Sequence, residues 1–182
     1  TDSRVVKIDT DGKKLEMESG DSIEYDKLII ATGARSNIPP FKGTNKEGVY
    51  SMRSLDDALK LKAAMKTAKK AVVIGGGVLG LEAVWEMVGG GIEVAVVEFN
   101  QRLMPRQLDE AASLRLQELM TDQGVQLCLG VATDEILGDG QVTGVKLNDG
   151  TVLEADLVLL STGVRPNVEQ AQDAGIEVAQ GI

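Results

Sequence analysis

"AVVIGGGVLGLEAVWEMVGGGIEVAVVE", from Ala71 to Glu98, decides how this chain is read. It opens on four apolar residues of strand character, 71–74, and passes at once into Gly75-x-Gly77-x-x-Gly80. A helix is predicted over 78–88, with Val78, Leu81, Trp85 and Val88 as one apolar stripe. Gly89, Gly90 and Gly91 end it, and a second buried strand is predicted over 92–98. Strand, glycine turn, helix and strand within about 30 residues make a βαβ unit, which requires parallel strands.

Each glycine has a mechanical role in that turn. Gly75 allows the reversal, Gly77 leaves the backbone open to a pyrophosphate, and Gly80 lets helix and strand pack closely. Amides near Val78 and Leu79 lie at a helix N-terminus, whose positive partial charge suits an anion. Glu98, 23 residues after Gly75, stands where an acidic side chain accepts the hydroxyls of an adenosine ribose. The pattern predicts a dinucleotide site; a glycine turn with only a structural role is the bland alternative. A carboxylate at Glu98 repels a 2′-phosphate, so NAD(H) is expected over NADP(H). Arg102 and Arg106 lie downstream and work against that preference. For Glu82, two residues past Gly80, reach toward the nicotinamide end and a solvated helix face are equally supported.

Charge narrows the partners. The formal net charge is −9, which weighs against nucleic acid and anionic lipid and leaves phosphates to main-chain donors. The chain has one cysteine, Cys128, and no histidine, so histidine-based catalysis and His/Cys zinc sites are excluded. No catalytic side chain and no metal site is expected. Cys128 reads as a buried structural thiol, and a single cysteine points to a reducing, cytoplasmic setting. No apolar run approaches the roughly 20 residues of a membrane span, so no membrane partner is expected.

Working outward, residues 5–8, 14–17 and 28–31 read as strands of a β-meander with turns at Asp11-Gly12 and Ser19-Gly20. The polar stretch 37–48, with two prolines and two glycines, reads as a linker. Ser54 and Asp57 form a capping-box pattern for a helix reaching about Ala68. Beyond the central unit come a helix over 108–123 capped by Gly124, a strand over 125–129, and a second meander turning at Gly138-Asp139-Gly140 and Asn148-Asp149-Gly150. That meander leads into a strand over 157–161, and a weak helix opens the tail. The fold class expected is α/β: a Rossmann-like, three-layer domain with a parallel sheet plus β-meander over 41–167. Residues 1–40 read as the remnant of a second domain, and 168–182 as a segment returning to it.

One phrase occurs twice. "YDKLIIATGARSN" (25–37) returns as "ADLVLLSTGVRPN" (155–167), at a constant offset of 130. Thr32 pairs with Thr162, Gly33 with Gly163, Arg35 with Arg165 and Asn37 with Asn167. Upstream, Gly20 pairs with Gly150, and the glycine fingerprint begins 75 positions before Gly150. Counted back from Gly20, an equivalent fingerprint falls ahead of Thr1. The expectation is a central piece of a longer protein with two nucleotide-binding folds, the first represented here by its tail.

With these motifs in hand, the chain resembles the pyridine nucleotide-disulfide oxidoreductase family. The matching segments are "YDKLIIATGARSNIPP", "VVIGGGVLGLEA", "VVE", "RLMPRQLDE" and "DGTVLEADLVLLSTGVRPN". "RLMPRQLDE" is most similar to the NADH:rubredoxin reductase and nitrite reductase large-subunit branch; the disulfide and persulfide reductase branch stays open. The resemblance implies an FAD domain interrupted by an NAD domain, hydride passing from NADH to FAD, and electrons leaving for an acceptor such as rubredoxin or a reductase centre. It places Thr162 and Gly163 near NAD, Thr32 and Gly33 on the FAD side, and Glu82 near the nicotinamide. A homodimer is the assembly option carried with it. The piece itself is expected to bind NADH, to carry no FAD and to turn over negligibly. An NAD-binding or sensing module without a redox role is the alternative from a different class.

Overall fold

A computed structural model describes residues 3–182 of the chain. The elements, in chain order, are β1 (Val5–Asp9), β2 (Lys14–Met17), β3 (Ser22–Glu24), β4 (Ala34–Ser36), β5 (Val49–Ser51) and α1 (Leu55–Met65). They continue with β6 (Lys70–Ile74), α2 (Val78–Gly89), β7 (Glu93–Glu98), α3 (Glu110–Asp122), β8 (Gln126–Leu129), β9 (Thr133–Leu137), β10 (Gly144–Leu147), β11 (Val152–Glu154) and β12 (Leu157–Leu160). The last are β13 (Val164–Pro166) and α4 (Glu169–Asp173). Two compact units form: Ser36–Gly163, and the residues up to Arg35 together with Val164–Ile182.

The larger unit is built on a five-stranded sheet in the order β5-β12-β6-β7-β8, every pair parallel. Strand side chains alternate between faces, and here both faces are dry. Ala71, Val73, Val94, Val96, Leu157 and Leu159 pack with Leu61, Val84, Met87 and Met120 of the helices. Val72, Ile74, Ala95, Val97, Val158 and Leu160 pack with Ile136, Val145, Leu147 and Leu153 of the antiparallel meander β9-β10-β11. Helices, parallel sheet and meander are the three layers expected. Asp156 fixes the entry to β6, its carboxylate accepting the N–H groups of Lys69 and Lys70 at 3.0–3.2 Å.

In the smaller unit β1, β2 and β3 form an antiparallel sheet, β4 and β13 pair, and α4 packs on β1. The expected strand over 28–31 does not form. A strand exists only where a neighbour completes its ladder, and among the described residues nothing pairs with this segment. Ile29 is 90% exposed, whereas Leu159, its counterpart in the repeat, is 1% exposed between β5 and β6.

Two further expectations are corrected. Residues 37–48 are no free linker: Lys42 and Glu47 bridge to Glu135 and Gln141, and Phe41 packs on the meander-side core. On α2 the buried face is Leu81, Ala83, Val84 and Met87, while Trp85 stands 58% exposed. The sheet selects the smaller residues that let the helix approach. Among the described residues no helix is long and apolar enough to cross a membrane.

Candidate functional site

The glycine turn lies where β6 gives way to α2, at the carboxyl edge of the parallel sheet, next to the end of β12. Gly75 sits at φ +115° and donates its N–H to Val97 O at 2.8 Å. A Cβ there would collide with the Ser161 carbonyl oxygen. One on Gly80 would collide with the Gly75 carbonyl oxygen and lie 3.1 Å from Ser161 Oγ. Ser161 N–H in turn bonds Ile74 O at 2.8 Å. Bare backbone at 75 and 80 therefore lets turn, helix and β12 close on one another.

Gly77 differs. It is the N-cap of α2 at φ −86°, and a Cβ on it would meet nothing within 4 Å. No side chain caps the helix and no acidic residue sits in its first turn. The amides of Val78 and Leu79, which no intrahelical carbonyl can satisfy, thus open on a surface without a methyl group in the way. Such an end attracts negative charge through its donors and the helix dipole together. The donor set fits a diphosphate.

Behind the turn stands Glu98, at the end of β7 and 8% exposed. Its Oε2 accepts Gly76 N–H at 2.7 Å, and its Oε1 accepts the N–H and the Nδ2 of Asn100 at 2.8 and 2.6 Å. Gly76 is also held through its carbonyl, which accepts Met104 N–H at 3.0 Å. Arg102 is committed to its own loop, donating to Leu108 O and Pro105 O at 3.0 and 3.1 Å, and Arg106 is exposed.

The description "Pyridine nucleotide-disulphide oxidoreductase" matches residues 1–182. The chain belongs to that family. It is 42% identical over 182 residues to the NAD(P)H nitrite reductase of Bacillus subtilis (strain 168), covering all of this chain and 23% of that protein. It is 38% identical to the rhodocoxin reductase of Rhodococcus erythropolis, over 98% of this chain and 42% of that one. Among solved structures, a ferredoxin reductase from Rhodopseudomonas palustris superposes with a TM-score of 0.96 at 39% identity, covering all of this chain and 45% of that one. The chain thus spans from about a quarter to under half of the length of these relatives.

Within this family member the expected residues fall into groups. Gly75, Gly77, Val78, Leu79, Gly80, Glu98 and Thr162 lie around the turn or beside it, all in the Ser36–Gly163 unit. Glu82 is exposed on α2. Thr32 and Gly33 belong to the other unit. The repeated phrase makes the same bonds twice. Thr162 Oγ1 donates to Asn37 O at 2.6 Å, Asn37 Nδ2 to Thr162 O at 3.2 Å, and Asn37 N–H to Gly163 O at 2.9 Å. Thr32 Oγ1 donates to Asn167 O at 2.6 Å, Asn167 Nδ2 to Thr32 O at 2.9 Å, and Asn167 N–H to Gly33 O at 2.9 Å. Each Thr-Gly pair is locked by the asparagine of the other copy.

Gly76, Asn100, Met104 and Ser161 were not expected at the site. Met104 sits at φ +48°, a conformation sequence patterning does not announce for methionine. Asn37 was visible as a repeated position without a role. Cys128 lies part-buried on β8, and burial, helped by the charge of Asp149, raises its thiol pKa above the ordinary value. Among the described residues no cluster of three or more His, Cys, Asp or Glu could hold a metal ion.

Proposed function

We propose that this chain binds NADH at the Gly75–Gly80 turn, as the nicotinamide-dinucleotide portion of a flavin-dependent oxidoreductase. The observation that carries the reading is Gly77: an open, uncapped helix start directly before a buried carboxylate at the adjacent strand end. The diphosphate rests on the amides of Val78 and Leu79, with Gly75 and Gly80 shaping the turn. Glu98 takes the adenosine ribose. Its negative charge opposes a 2′-phosphate, and Arg102 is turned into its own loop by its bonds to Leu108 O and Pro105 O, which supports NADH over NADPH. Glu82, Thr162 and Gly163 are assigned to the nicotinamide end.

In the whole protein NADH supplies hydride to FAD, with Thr32 and Gly33 on the FAD side. A small electron-carrier protein such as rubredoxin, or a reductase centre, is the acceptor we assign; ferredoxin reductase and rhodocoxin reductase are names of relatives that point the same way. The part left to this chain is binding and orientation, which hydride transfer needs more than a protein acid or base. Titration of the chain with NADH and NADPH by calorimetry tests the reading. NADH is expected to bind at least about tenfold more tightly, a difference of about 1.4 kcal/mol. Equal affinities would remove the role of Glu98, and no binding of either would remove the site.

A further inference from the structure

The glycine turn is held from behind by a carboxylate that is itself held. An ionised carboxylate has about four acceptor sites. In Glu98 both sites of Oε1 are filled by Asn100, through its N–H and its Nδ2, and one site of Oε2 is filled by Gly76 N–H. One acceptor site remains, on the oxygen that holds Gly76. Asn100 is anchored in turn, its carbonyl accepting Gly130 N–H at 2.9 Å, while its side chain is on an exposed residue. Leu103, 0% exposed, closes the other side, with Cδ2 only 2.6 Å from where a Gly76 Cβ would stand.

We propose that Asn100 is the positioning residue of the dinucleotide site. By filling Oε1 it fixes the Glu98 carboxylate so that Oε2 holds Gly76 and offers its remaining acceptor site to one ribose hydroxyl, the 2′-hydroxyl of the adenosine. This rests on the NADH reading above. The terminal torsion of a glutamate side chain is broad and weakly restrained. Without the Nδ2 donor, Oε1 regains an open acceptor, the carboxylate turns, and both the Gly76 amide and the ribose lose a fixed partner. The selectivity of the site for a ribose hydroxyl thus comes from a residue that acts through Glu98.

The test uses the 182-residue chain and its variants Asn100→Ala and Asn100→Ser, chosen because the residue is exposed and both substitutions leave the core intact. Without ligand, amide exchange followed by NMR is expected to speed about tenfold at Gly76 in Asn100→Ala. Gly75, bonded to Val97 O, should not change. The serine hydroxyl, still a donor, should restore part of the protection. With ligand, NADH and its 2′-deoxyadenosine analogue are titrated. Asn100→Ala should weaken NADH by about tenfold and bring the two ligands to near-equal affinity. Unchanged Gly76 exchange, or a preference for NADH that survives in Asn100→Ala, overturns the proposal. A chain that binds neither ligand while Gly76 still responds would overturn the NADH reading and support the Asn100–Glu98–Gly76 contact as a purely structural one.

Discussion

An alanine at Gly77 would place its methyl group in open space, at a φ of −86° that any residue tolerates. The same change at Gly80 drives a methyl into the Gly75 carbonyl oxygen and the Ser161 side chain. The two substitutions should therefore separate binding from folding. Gly77→Ala is expected to leave the Tm unchanged and to weaken NADH about tenfold by occupying the phosphate face. Gly80→Ala is expected to cost roughly 1–3 kcal/mol of stability through overpacking. Thermal melts with a parallel NADH titration check both, and a Gly77→Ala chain with undiminished affinity would remove the phosphate from this turn. Cys128 offers a second single-residue measurement. Its raised thiol pKa lowers the thiolate fraction, so at pH 7.5 iodoacetamide should label it at least about threefold more slowly than free cysteine.

At the scale of the element, α1 is the helix whose start is most fully specified. Ser54 Oγ accepts Asp57 N–H at 3.2 Å, and the Asp57 carboxylate accepts Ser54 N–H at 2.9 Å, closing the capping box. The Ser54 N–H, then its hydroxyl, then the Arg53 N–H hold the Asp57 carboxyl below its ordinary pKa. A carboxyl depressed in the folded state stabilises fully above its unfolded pKa, about 3.9, and loses that contribution as pH falls through the lower, folded value. Exchange of the first-turn amides of α1 should accelerate as pH drops below about 4, once intrinsic rates are removed. Asp57→Asn should flatten that dependence. Ser54→Ala should cost about 1 kcal/mol at neutral pH. The start of α2 is the contrast: no side chain caps it, and the proposed reading gives its orphan amides to the dinucleotide. One helix satisfies its own N-terminus, and the other keeps donors in reserve at the site.

Across the whole molecule the net charge of −9 must be reconciled with the proposed binding of an anionic dinucleotide. In that reading main-chain amides hold the anion without a basic side chain, so affinity gains nothing from Lys or Arg contacts that added salt would weaken. Raising salt screens the long-range repulsion, over a Debye length of about 10 Å at 0.1 M. NADH affinity is expected to stay level or rise up to about twofold between 50 and 300 mM salt. A steep fall would show that a cation, with Arg106 the exposed candidate, carries the contact. The fold tolerates such a site because its stability is gathered elsewhere. Leu159, 1% exposed on the interior strand β12, should cost about 2–5 kcal/mol when changed to alanine.

The sequence by itself determined the βαβ unit, because a continuous apolar run, a glycine turn and an apolar-faced helix have few other ways to bury themselves. Positions Gly75, Gly77, Gly80 and Glu98 were legible for the same reason: their spacing is the geometry of the turn. The repeat was legible as text. What tertiary structure decided is everything that depends on a partner distant in the chain. "KLIIA" and "LVLLS" hold corresponding places in the repeat with the same apolar run, yet only the second is a strand, since only it has β5 and β6 as neighbours. Trp85 belongs to an apolar stripe by period but is exposed, because the sheet accepts Val84 and Met87 instead. Asn100, Met104 and Ser161 carry no pattern; their roles arise from the bonds of Asn100 to Glu98, from a left-handed Met104 whose N–H reaches Gly76 O, and from the closeness of Ser161 to the glycines. Local periodicity encodes elements and turns; hydrogen-bond partners and burial are set only when separate segments meet.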